Sequence, residues 1–316
     1  MTTADSKRHL PTTSLIPNTM NSLSTPELAN LLPPCWATMV TEWLKEDTPS
    51  FDYGGFVVGE KQETAVLLGK SKGVVAGKPF FDEVFKQVGC RVEWLVEEGE
   101  AFEPIKEVAY VYGPARQLLM GERVALNMLA RCSGIATRAR HLRQLKDAHG
   151  FPGIIAGTRK TTPGFRIVEK YAMLVGGIDT HRMDLSSCIM LKDNHIWSQG
   201  SIPAAVAKAR AAGGFSIKIE VECRSEAEAD EAVEAGADII MLDNFDAKGL
   251  KAAAASLRQR WTERGRPNVL IEASGGITEE TITEYFCPDI NIVSLGSVTQ
   301  GVPHVDFSLK IQRASA

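Results

Sequence analysis

The spacing of apolar residues along the chain changes character near Gly150. Before it, short apolar runs typical of strands mix irregularly with stretches of helical period, which favours an α+β domain. Thr25-Pro26 has the pattern of an N-cap residue followed by proline at the first helical position, which predicts that the ordered chain begins there. The predicted strands lie near 64–69, 73–76, 90–96 and 107–112, and the predicted helices over 36–46 and 79–88.

The stretch from Pro114 to Ala148 has helical spacing throughout, with apolar positions running from Leu118 to Leu145. Two glycine sites, Gly121 and Ser133-Gly134, interrupt it. Because glycine weakens a helix interior, the sequence predicts separate helices here.

After Gly150 the apolar runs alternate mostly with plain helical segments. That alternation predicts βα units and a parallel sheet, with Ser225 and Thr278 as N-caps of two helices. A last apolar run, His304 to Ile311, predicts a strand that returns to the N-terminal domain. The predicted strands are 153–157, 188–191, 216–222, 238–242, 268–272 and 290–295, and the helices 203–212, 225–235, 246–260 and 278–286.

Polar residues follow every one of these six strands. In an α/β barrel the functional groups come from the carboxyl ends of several strands, whereas a doubly wound sheet gathers them at one switch point. The sequence therefore favours the barrel over the doubly wound sheet. The residues concerned are Thr158-Arg159-Lys160, Lys192-Asp193-Asn194, Glu222, Asp243-Asn244, Glu272 to Gly276, and Gly296-Ser297.

Composition and charge restrict the partners. A net charge of -4 and a pI near 5.9 argue against nucleic acid or an anionic membrane, so an anionic substrate requires a local basic pocket. Scattered cysteines without a CxxC pair predict reduced thiols in a reducing compartment. No apolar run approaches the ~18 residues of a membrane helix. We predict a cytoplasmic protein, and a nuclear location as well if the chain is eukaryotic.

Residues 1–24 are rich in Ser, Thr, Pro and Asn and contain few large apolar residues. This composition predicts a disordered N-terminal extension. A mitochondrial presequence is the alternative, which the few positive charges of the segment support only weakly.

A basic cluster at the strand ends forms the first chemical constellation. Cations brought together at one mouth repel one another, so the cluster predicts an anionic ligand. Arginine suits planar carboxylates and lysine suits phosphate. The alternative is a set of exposed side chains paired with neighbouring acids. The members are Arg159, Lys160, His181, Arg182 and Lys192.

Two carboxylates on successive strands, Glu222 and Asp243, form the second constellation. In the segment 217–222 the period of two places Lys218, Glu220 and Glu222 on one face, toward the barrel axis. Carboxylates beside a phosphate pocket fit Mg²⁺ held partly through water and substrate oxygens. The alternative, which can coexist with it, is that they pair with the basic cluster.

The third constellation is glycine-rich. Ser274-Gly275-Gly276 ends one strand and opens a predicted helix, and Gly296 follows the next strand. Glycines let the backbone approach an anion, and a helix N-terminus adds N–H groups, so the pair of strand ends predicts a phosphate cradle rather than plain turns.

These residues lie in eight ordered motifs that closely resemble the quinolinate phosphoribosyltransferase family over roughly residues 25–310. GTRKTTPG at 157–164 and MLKDNH at 190–195 are the sharpest matches. The others are GERVALNMLARCSGIATRA at 121–139, THRMDLS at 180–186, IKIEVEC at 217–223, IIMLDNF at 239–245, LIEASGGIT at 270–278 and VSLGSVTQG at 293–301.

The resemblance implies an open α/β barrel with an N-terminal α+β sandwich domain. The expected domains are 25–137, joined by the C-terminal segment 303–316, and the barrel 138–302. It also implies a transferase that converts quinolinate and phosphoribosyl pyrophosphate to nicotinate mononucleotide, pyrophosphate and CO₂ in NAD biosynthesis, with Mg²⁺ as cofactor. A homodimer that can assemble further, to a hexamer, is implied as well.

Roles follow residue by residue from the same resemblance. Quinolinate binding is assigned to Arg123, Arg159, Lys160, His181, Arg182 and Lys192, with Arg123 supplied across the dimer interface. The expected catalytic residues are Lys160, Lys192, Glu222 and Asp243, and the expected Mg²⁺ ligands are Glu222 and Asp243, through water and pyrophosphate. The 5′-phosphate is expected at Ser274, Gly275, Gly276 and Gly296.

Three other functions remain open at this point. A related phosphoribosyltransferase that uses a monocarboxylate such as nicotinate would need fewer basic contacts. A barrel aldolase would use Lys192 as a Schiff-base lysine, activated by its basic surroundings. A non-catalytic anion-binding module would not need the carboxylate pair.

Overall fold

The computed structural model describes residues 25–312 of the chain. The predicted disordered extension, residues 1–24, lies outside the described residues, as do residues 313–316. The helices are α1 (Thr25–Ala29), α2 (Trp36–Asp47), α3 (Tyr53–Val58), α4 (Lys78–Gln87), α5 (Ala115–Ala148), α6 (Arg166–Gly176), α7 (Asp193–Gln199), α8 (Ile202–Gly213), α9 (Glu226–Glu234) and α10 (Ala247–Glu263).

The strands form three sheets. Their orders are β12-β1-β5-β3, β6-β11-β10-β9-β8-β7 and β2-β4. The strands are β1 (Gln62–Gly69), β2 (Gly73–Val74), β3 (Arg91–Trp94), β4 (Ala101–Phe102), β5 (Lys106–Pro114), β6 (Ile154–Ala156), β7 (Ile189–Leu191), β8 (Ile219–Cys223), β9 (Ile239–Asp243), β10 (Leu270–Ser274), β11 (Ile292–Ser294) and β12 (Phe307–Ile311).

The described residues divide into two compact units. The parallel-sheet unit contains 149–154 and 188–293, and the α+β unit contains 25–148, 155–187 and 294–312. These cuts differ from the predicted domains 25–137 and 138–302, whose boundaries stay predictions.

The α+β unit is built on an antiparallel sheet. β1 pairs on one side with β5 and on the other with β12, where Leu67 lies opposite Leu309. α4 supplies Phe80, Phe81 and Phe85, which are completely buried, because its apolar residues recur at helical spacing. The last strand of the chain thus returns to the N-terminal sheet.

Helix α5 is one continuous helix of 34 residues, so the predicted breaks in 114–148 are wrong. Both glycines are sites of close packing. A Cβ on Gly121 would lie 3.0 Å from a Phe85 ring carbon, and one on Gly134 would lie 2.3 Å from the carbonyl oxygen of Pro303. The missing side chains admit neighbouring groups and do not end the helix.

In the parallel-sheet unit, β7, β8, β9 and β10 pair in parallel along consecutive positions. Apolar side chains such as Val221, Ile240 and Ile271 are completely buried and alternate with the polar positions. Helices α8, α9 and α10 confirm three predicted helices, and the Ser225 hydroxyl caps α9 by accepting the Glu228 N–H at 3.2 Å. The fold class, an open α/β barrel with an N-terminal α+β sandwich domain, is confirmed.

The helix predicted over 278–286 is wrong. Only a short 3-10 helix, Ile282–Tyr285, forms there. The Thr281 hydroxyl accepts the Thr278 N–H at 3.0 Å, so this local bond offers the backbone an alternative to an α-helical turn. Thr278 therefore caps no α-helix.

Candidate active site

The carboxyl ends of β8, β9 and β10 present polar side chains on a single face. Glu222 lies opposite Met241, and Met241 lies opposite Glu272. Two residues further along, Asp243 lies opposite Ser274. Because side chains alternate along a strand, all these residues share one face, and the buried aliphatic residues occupy the other. The predicted polar face is therefore present.

Lys192 and Glu222 form an ion pair in which the ammonium donates to Oε2. Lys192 lies at the N-cap of α7, where its backbone N–H donates to Nδ1 of His195 at 3.0 Å. The Glu222 side chain is 13% exposed and that of Lys192 46%. Glu222 is thus ion-paired with a member of the basic cluster, as the alternative interpretation of the carboxylates predicted.

Asp243 ends β9 and is half-buried. The side-chain amide of Asn244 donates to its Oδ2. Asn244 adopts a left-handed backbone conformation (φ 58°), and its N–H donates to the Ser274 carbonyl at 3.1 Å. The two strand ends are thereby joined, and Asp243 is held beside the glycine turn.

The turn after β10 requires its glycines. Gly275 has φ 94° and Gly276 has φ 67°, both in the left-handed region. A Cβ at Gly275 would lie 2.5 Å from the Asn244 side-chain oxygen, whereas one at Gly276 would enter open space. Since no α-helix follows, the helix N-terminus expected for phosphate binding is absent from this turn, and its backbone alone remains for that role.

In the α+β unit, Arg159 and Lys160 follow β6. Arg159 is half-buried, and its Nε is buried without a hydrogen-bond partner among the described residues. The Lys160 side chain passes over Gly296, whose Cβ position would lie 2.9 Å from the lysine Cδ. Gly296 thus makes room for Lys160, and two predicted site residues lie together.

His181 adopts a left-handed conformation with φ 56°. Its N–H donates to the Asp179 carboxylate at 2.6 Å, and its Nδ1 accepts the Arg182 N–H at 2.7 Å. A neutral imidazole that accepts at Nδ1 carries its proton on Nε2. The ring is therefore arranged to donate a hydrogen bond from Nε2.

Several arginines act on a buried lysine, Lys170, that the sequence did not single out. Burial, together with Arg166, Arg159 and Arg182, lowers the pKa of Lys170 to about 8, while Asp179 opposes the shift. Two of the predicted cations, Arg159 and Arg182, thus act on the same ammonium group within the α+β unit.

Arg123 is the predicted cation that the loops do not carry. It projects from α5 with an exposed side chain and takes part in no described hydrogen bond or ion pair. Its acidic neighbour Glu122 has a pKa raised by burial, a shift that the Arg123 charge opposes. The fold leaves this guanidinium open to solvent within its own unit.

Sequence reasoning also missed Glu169, which lies beside Lys170 on α6. Both residues are buried charges in a helix whose other faces are largely apolar, with Val168, Ala172 and Met173 completely buried. That composition was the available signal, because charges in a helix that is apolar all round must themselves be buried.

Family models match most of the chain. The model described as quinolinate phosphoribosyl transferase, N-terminal domain, matches residues 39–133, and the model of the C-terminal domain matches residues 135–310.

Named relatives match over nearly their whole length. A Dictyostelium discoideum protein named nicotinate-nucleotide pyrophosphorylase (carboxylating) is 52% identical over 303 residues, 91% of this chain and 99% of that protein. The Rattus norvegicus protein of the same name is 50% identical over 282 residues, 89% of this chain and 93% of its own. The crystal structure of NadC from Streptococcus pyogenes is 36% identical with a TM-score of 0.77, covering 93% of this chain and 100% of that one.

Proposed function

This chain belongs to the quinolinate phosphoribosyl transferase family, and we infer from that membership that it converts quinolinate and phosphoribosyl pyrophosphate to nicotinate mononucleotide, pyrophosphate and CO₂. It is a pentosyltransferase of NAD biosynthesis. The observation that carries this inference is the match of both family models together with relatives named as carboxylating enzymes. That match sets aside the aldolase and the non-catalytic module.

Quinolinate binding is assigned to the cations of the strand-end loops. Arg159 and Arg182 act on one buried ammonium, so an anion placed against them offsets the positive charge that surrounds it. Each guanidinium suits a planar carboxylate, and His181 is assigned to the same anion as a further contact. The two carboxylates of quinolinate, with Lys160, Lys192 and Arg123 as further contacts, match this excess of positive charge.

The transfer step needs no covalent nucleophile from the protein. The ring nitrogen of quinolinate attacks the anomeric carbon, and the bond to pyrophosphate breaks with its electron pair on the leaving oxygen. Positive charge develops on the sugar, and Glu222 or Asp243 stabilises it because each is a carboxylate on the polar face. Glu222 is paired with Lys192, and a substrate anion bound by Lys192 would free the acid for this role.

Loss of CO₂ follows from the alkylated ring. The bond between the carboxylate and the ring carbon beside the nitrogen breaks with its electron pair left on that ring carbon, where the adjacent positive nitrogen stabilises it, and CO₂ departs. The resulting carbanion takes a proton from solvent. The basic side chains orient the ring and its carboxylates during these steps.

Mg²⁺ is proposed as the cofactor, because the residues present fit it. Glu222 and Asp243 supply hard oxygen donors from one face of neighbouring strands, both at the carboxyl end. When bound, the ion neutralises the charge of the leaving pyrophosphate. Glu222 and Asp243 would hold it, partly through water and substrate oxygens.

The 5′-phosphate is assigned to the glycine-rich ends. The turn at Gly275 and Gly276 exposes backbone that no side chain covers on the Gly276 side, where a Cβ would meet nothing within 4 Å. Ser274 adds a hydroxyl, and Gly296 admits the Lys160 side chain in the α+β unit.

We also propose a homodimer that shares Arg123 between subunits and can assemble further to a hexamer. The support is an exposed apolar patch, defined as Phe51, Tyr53, Phe56 and Val57, residues that are 81%, 78%, 85% and 82% exposed. Exposed apolar residues that follow one another so closely in the chain are typical of an interaction surface. The patch belongs to α3 and its approach, which Asp52 joins to Arg116 of α5, the helix that carries Arg123.

No helix among the described residues is long and apolar enough to cross a membrane. The cytoplasmic and nuclear locations stay predictions.

A turnover assay tests the proposed reaction. The purified chain, given quinolinate, phosphoribosyl pyrophosphate and Mg²⁺, is expected to form nicotinate mononucleotide and CO₂ in equal amounts, and to form neither after chelation of the metal. Nicotinate in place of quinolinate is the control. Turnover of nicotinate without CO₂, or borohydride trapping of a carbonyl substrate on Lys192, would overturn the assignment.

A further inference from the structure

Helix α6 carries two adjacent charges that the proposed chemistry does not use. Glu169 is 0% exposed and Lys170 is 1% exposed. Burying a charge costs free energy unless hydrogen bonds and opposite charges compensate it. The hydrogen bonds and ion pairs of each side chain therefore show what its burial stabilises.

Lys170 holds the loop that contains His181. Its ammonium donates to the Thr180 carbonyl and to the Arg182 carbonyl, the latter at 2.9 Å. The residue between them, His181, has the left-handed φ of 56°, a conformation that costs free energy outside glycine and needs outside support. Two charged hydrogen bonds that flank a strained residue supply that support.

Glu169 holds the preceding loop in the same way. Its carboxylate accepts the Thr162 N–H at 3.0 Å and the Thr162 hydroxyl at 2.8 Å. It also pairs with Arg131 of α5 at 2.8 Å. Thr162 follows Arg159-Lys160 by two residues, so the acid fixes the loop that presents those cations.

The charges around the Lys170 ammonium come from its own helix and from both loops. Arg166, Arg159 and Arg182 repel it and Asp179 attracts it.

Helix α5 packs against α6 and carries two further arginines. Arg131 forms an ion pair with Glu169, and Arg140 donates to the carbonyls of Gly99 and Val175. These α5 cations are thus engaged elsewhere.

We propose that Glu169 and Lys170 are positioning residues that hold the two quinolinate-binding loops, and that quinolinate binding draws a proton onto Lys170. Proton uptake by Lys170 is expected because a dianion placed against Arg159 and Arg182 offsets the repulsion that these groups exert on the ammonium. With a pKa of about 8, Lys170 is partly neutral in mildly alkaline solution before the ligand arrives. This inference rests on the proposed function.

Calorimetric titration of quinolinate into the full chain, in buffers of different ionisation enthalpy, measures the proton uptake. At about pH 8.5 the wild type is expected to take up a substantial fraction of a proton, and Lys170→Met none of that fraction. The same variant is expected to lose about 10- to 100-fold in kcat/KM for quinolinate, the range for a lost charge-assisted hydrogen bond, with the KM for phosphoribosyl pyrophosphate little changed.

Matched variants separate positioning from folding. Tyr171→Phe alters the next residue of α6, which is buried and packs on Phe80 at 5.4 Å, and it should keep both the proton uptake and the kinetics of the wild type. Lys170→Arg keeps the charge at every pH and should retain quinolinate binding while losing the uptake. Glu169→Gln should raise the KM for quinolinate with the uptake intact.

Equal proton uptake in the wild type and in Lys170→Met, or an unchanged KM for quinolinate in that variant, would overturn the inference and leave the proposed reaction standing. A wild type that neither binds nor turns over quinolinate would instead refute the proposed function.

Discussion

At the scale of single residues, Lys170 should make stability depend on pH. Its pKa is about 8 in the folded chain against 10.5 ordinarily, so between these values the unfolded state binds more protons. The free energy of unfolding therefore rises with pH across this window, and is constant for this group below and above it. Urea denaturation should show the wild type gaining up to about 3 kcal/mol over Lys170→Met from about pH 7 to about pH 10.5. Parallel stability curves for the two proteins would contradict the burial argument.

Lys192 should matter to activity far more than to stability. It is half-exposed, and a surface ion pair contributes only about 0–1 kcal/mol, so Lys192→Ala should melt within a few degrees of the wild type. Its kcat/KM should fall about 10²- to 10³-fold, the range for a lost electrostatic contact to the reacting groups. Lys208→Ala, an exposed lysine of α8 in the same unit, is the control. Near-normal turnover by Lys192→Ala would remove this lysine from the site.

The sequence predicted which strand side chains share a face where the polar residues alternate regularly. The alternation in 217–222 predicted that Glu220 and Glu222 share a face, and the register places Glu222 opposite Met241 on β9. The same reasoning missed Glu169 and Lys170, because charged residues in a helix are ordinarily exposed. The apolar residues around them in α6 were the available sign of burial, but their partners, such as the Arg131 side chain and the Thr180 carbonyl, are set only by the fold.

At the scale of elements, the turn after β10 can be tested by adding one methyl group. Gly276→Ala meets no atom within 4 Å, so its cost to folding is the left-handed φ alone, about 1–2 kcal/mol. If the turn binds phosphate through its backbone, the added methyl should raise the KM for phosphoribosyl pyrophosphate about tenfold or more, with quinolinate affinity little changed.

Gly236→Ala is the matched control for this experiment. Gly236 has φ 99° and equally open surroundings, but it precedes β9 and so lies away from the carboxyl ends of the strands. Equal KM values for phosphoribosyl pyrophosphate in the two variants would show that the turn at Gly276 binds no phosphate.

Two predictions of helix boundaries were wrong because a glycine or a hydroxyl makes a tertiary or local contact that the sequence pattern does not indicate. Gly134 was expected to interrupt a helix, but it admits the carbonyl of Pro303 and α5 continues through it. Thr278 was expected to cap a helix, but its N–H is taken by the Thr281 hydroxyl. In both cases the contact that decides the outcome is made only after folding, so propensity alone does not indicate it.

At the scale of the whole molecule, the alternation of strands with helices after Gly150 was sufficient to predict the parallel sheet, while the role of Arg123 came only from the family resemblance. Helical spacing gives no sign that a partner subunit would use an exposed arginine. The proposed dimer therefore needs a test of its own.

Mixing two inactive variants tests that dimer. Arg123→Ala and Lys192→Ala should each be inactive alone, because each removes one part of every site. A mixed dimer would contain one site with both residues intact, so reassociation should restore about a quarter of wild-type activity, if subunits pair at random. No recovery of activity after proven subunit exchange would contradict shared sites.

We propose that the cations of the strand-end loops bind a dicarboxylate. The most direct measurement is the dissociation constant of quinolinate and of nicotinate for the wild type and for Arg159→Ala, with phosphoribosyl pyrophosphate absent. The wild type should bind quinolinate about 10- to 100-fold more tightly than nicotinate, since the second carboxylate adds a charge-assisted hydrogen bond, and Arg159→Ala should lose most of this preference. Equal affinity of the wild type for the two acids would contradict the account.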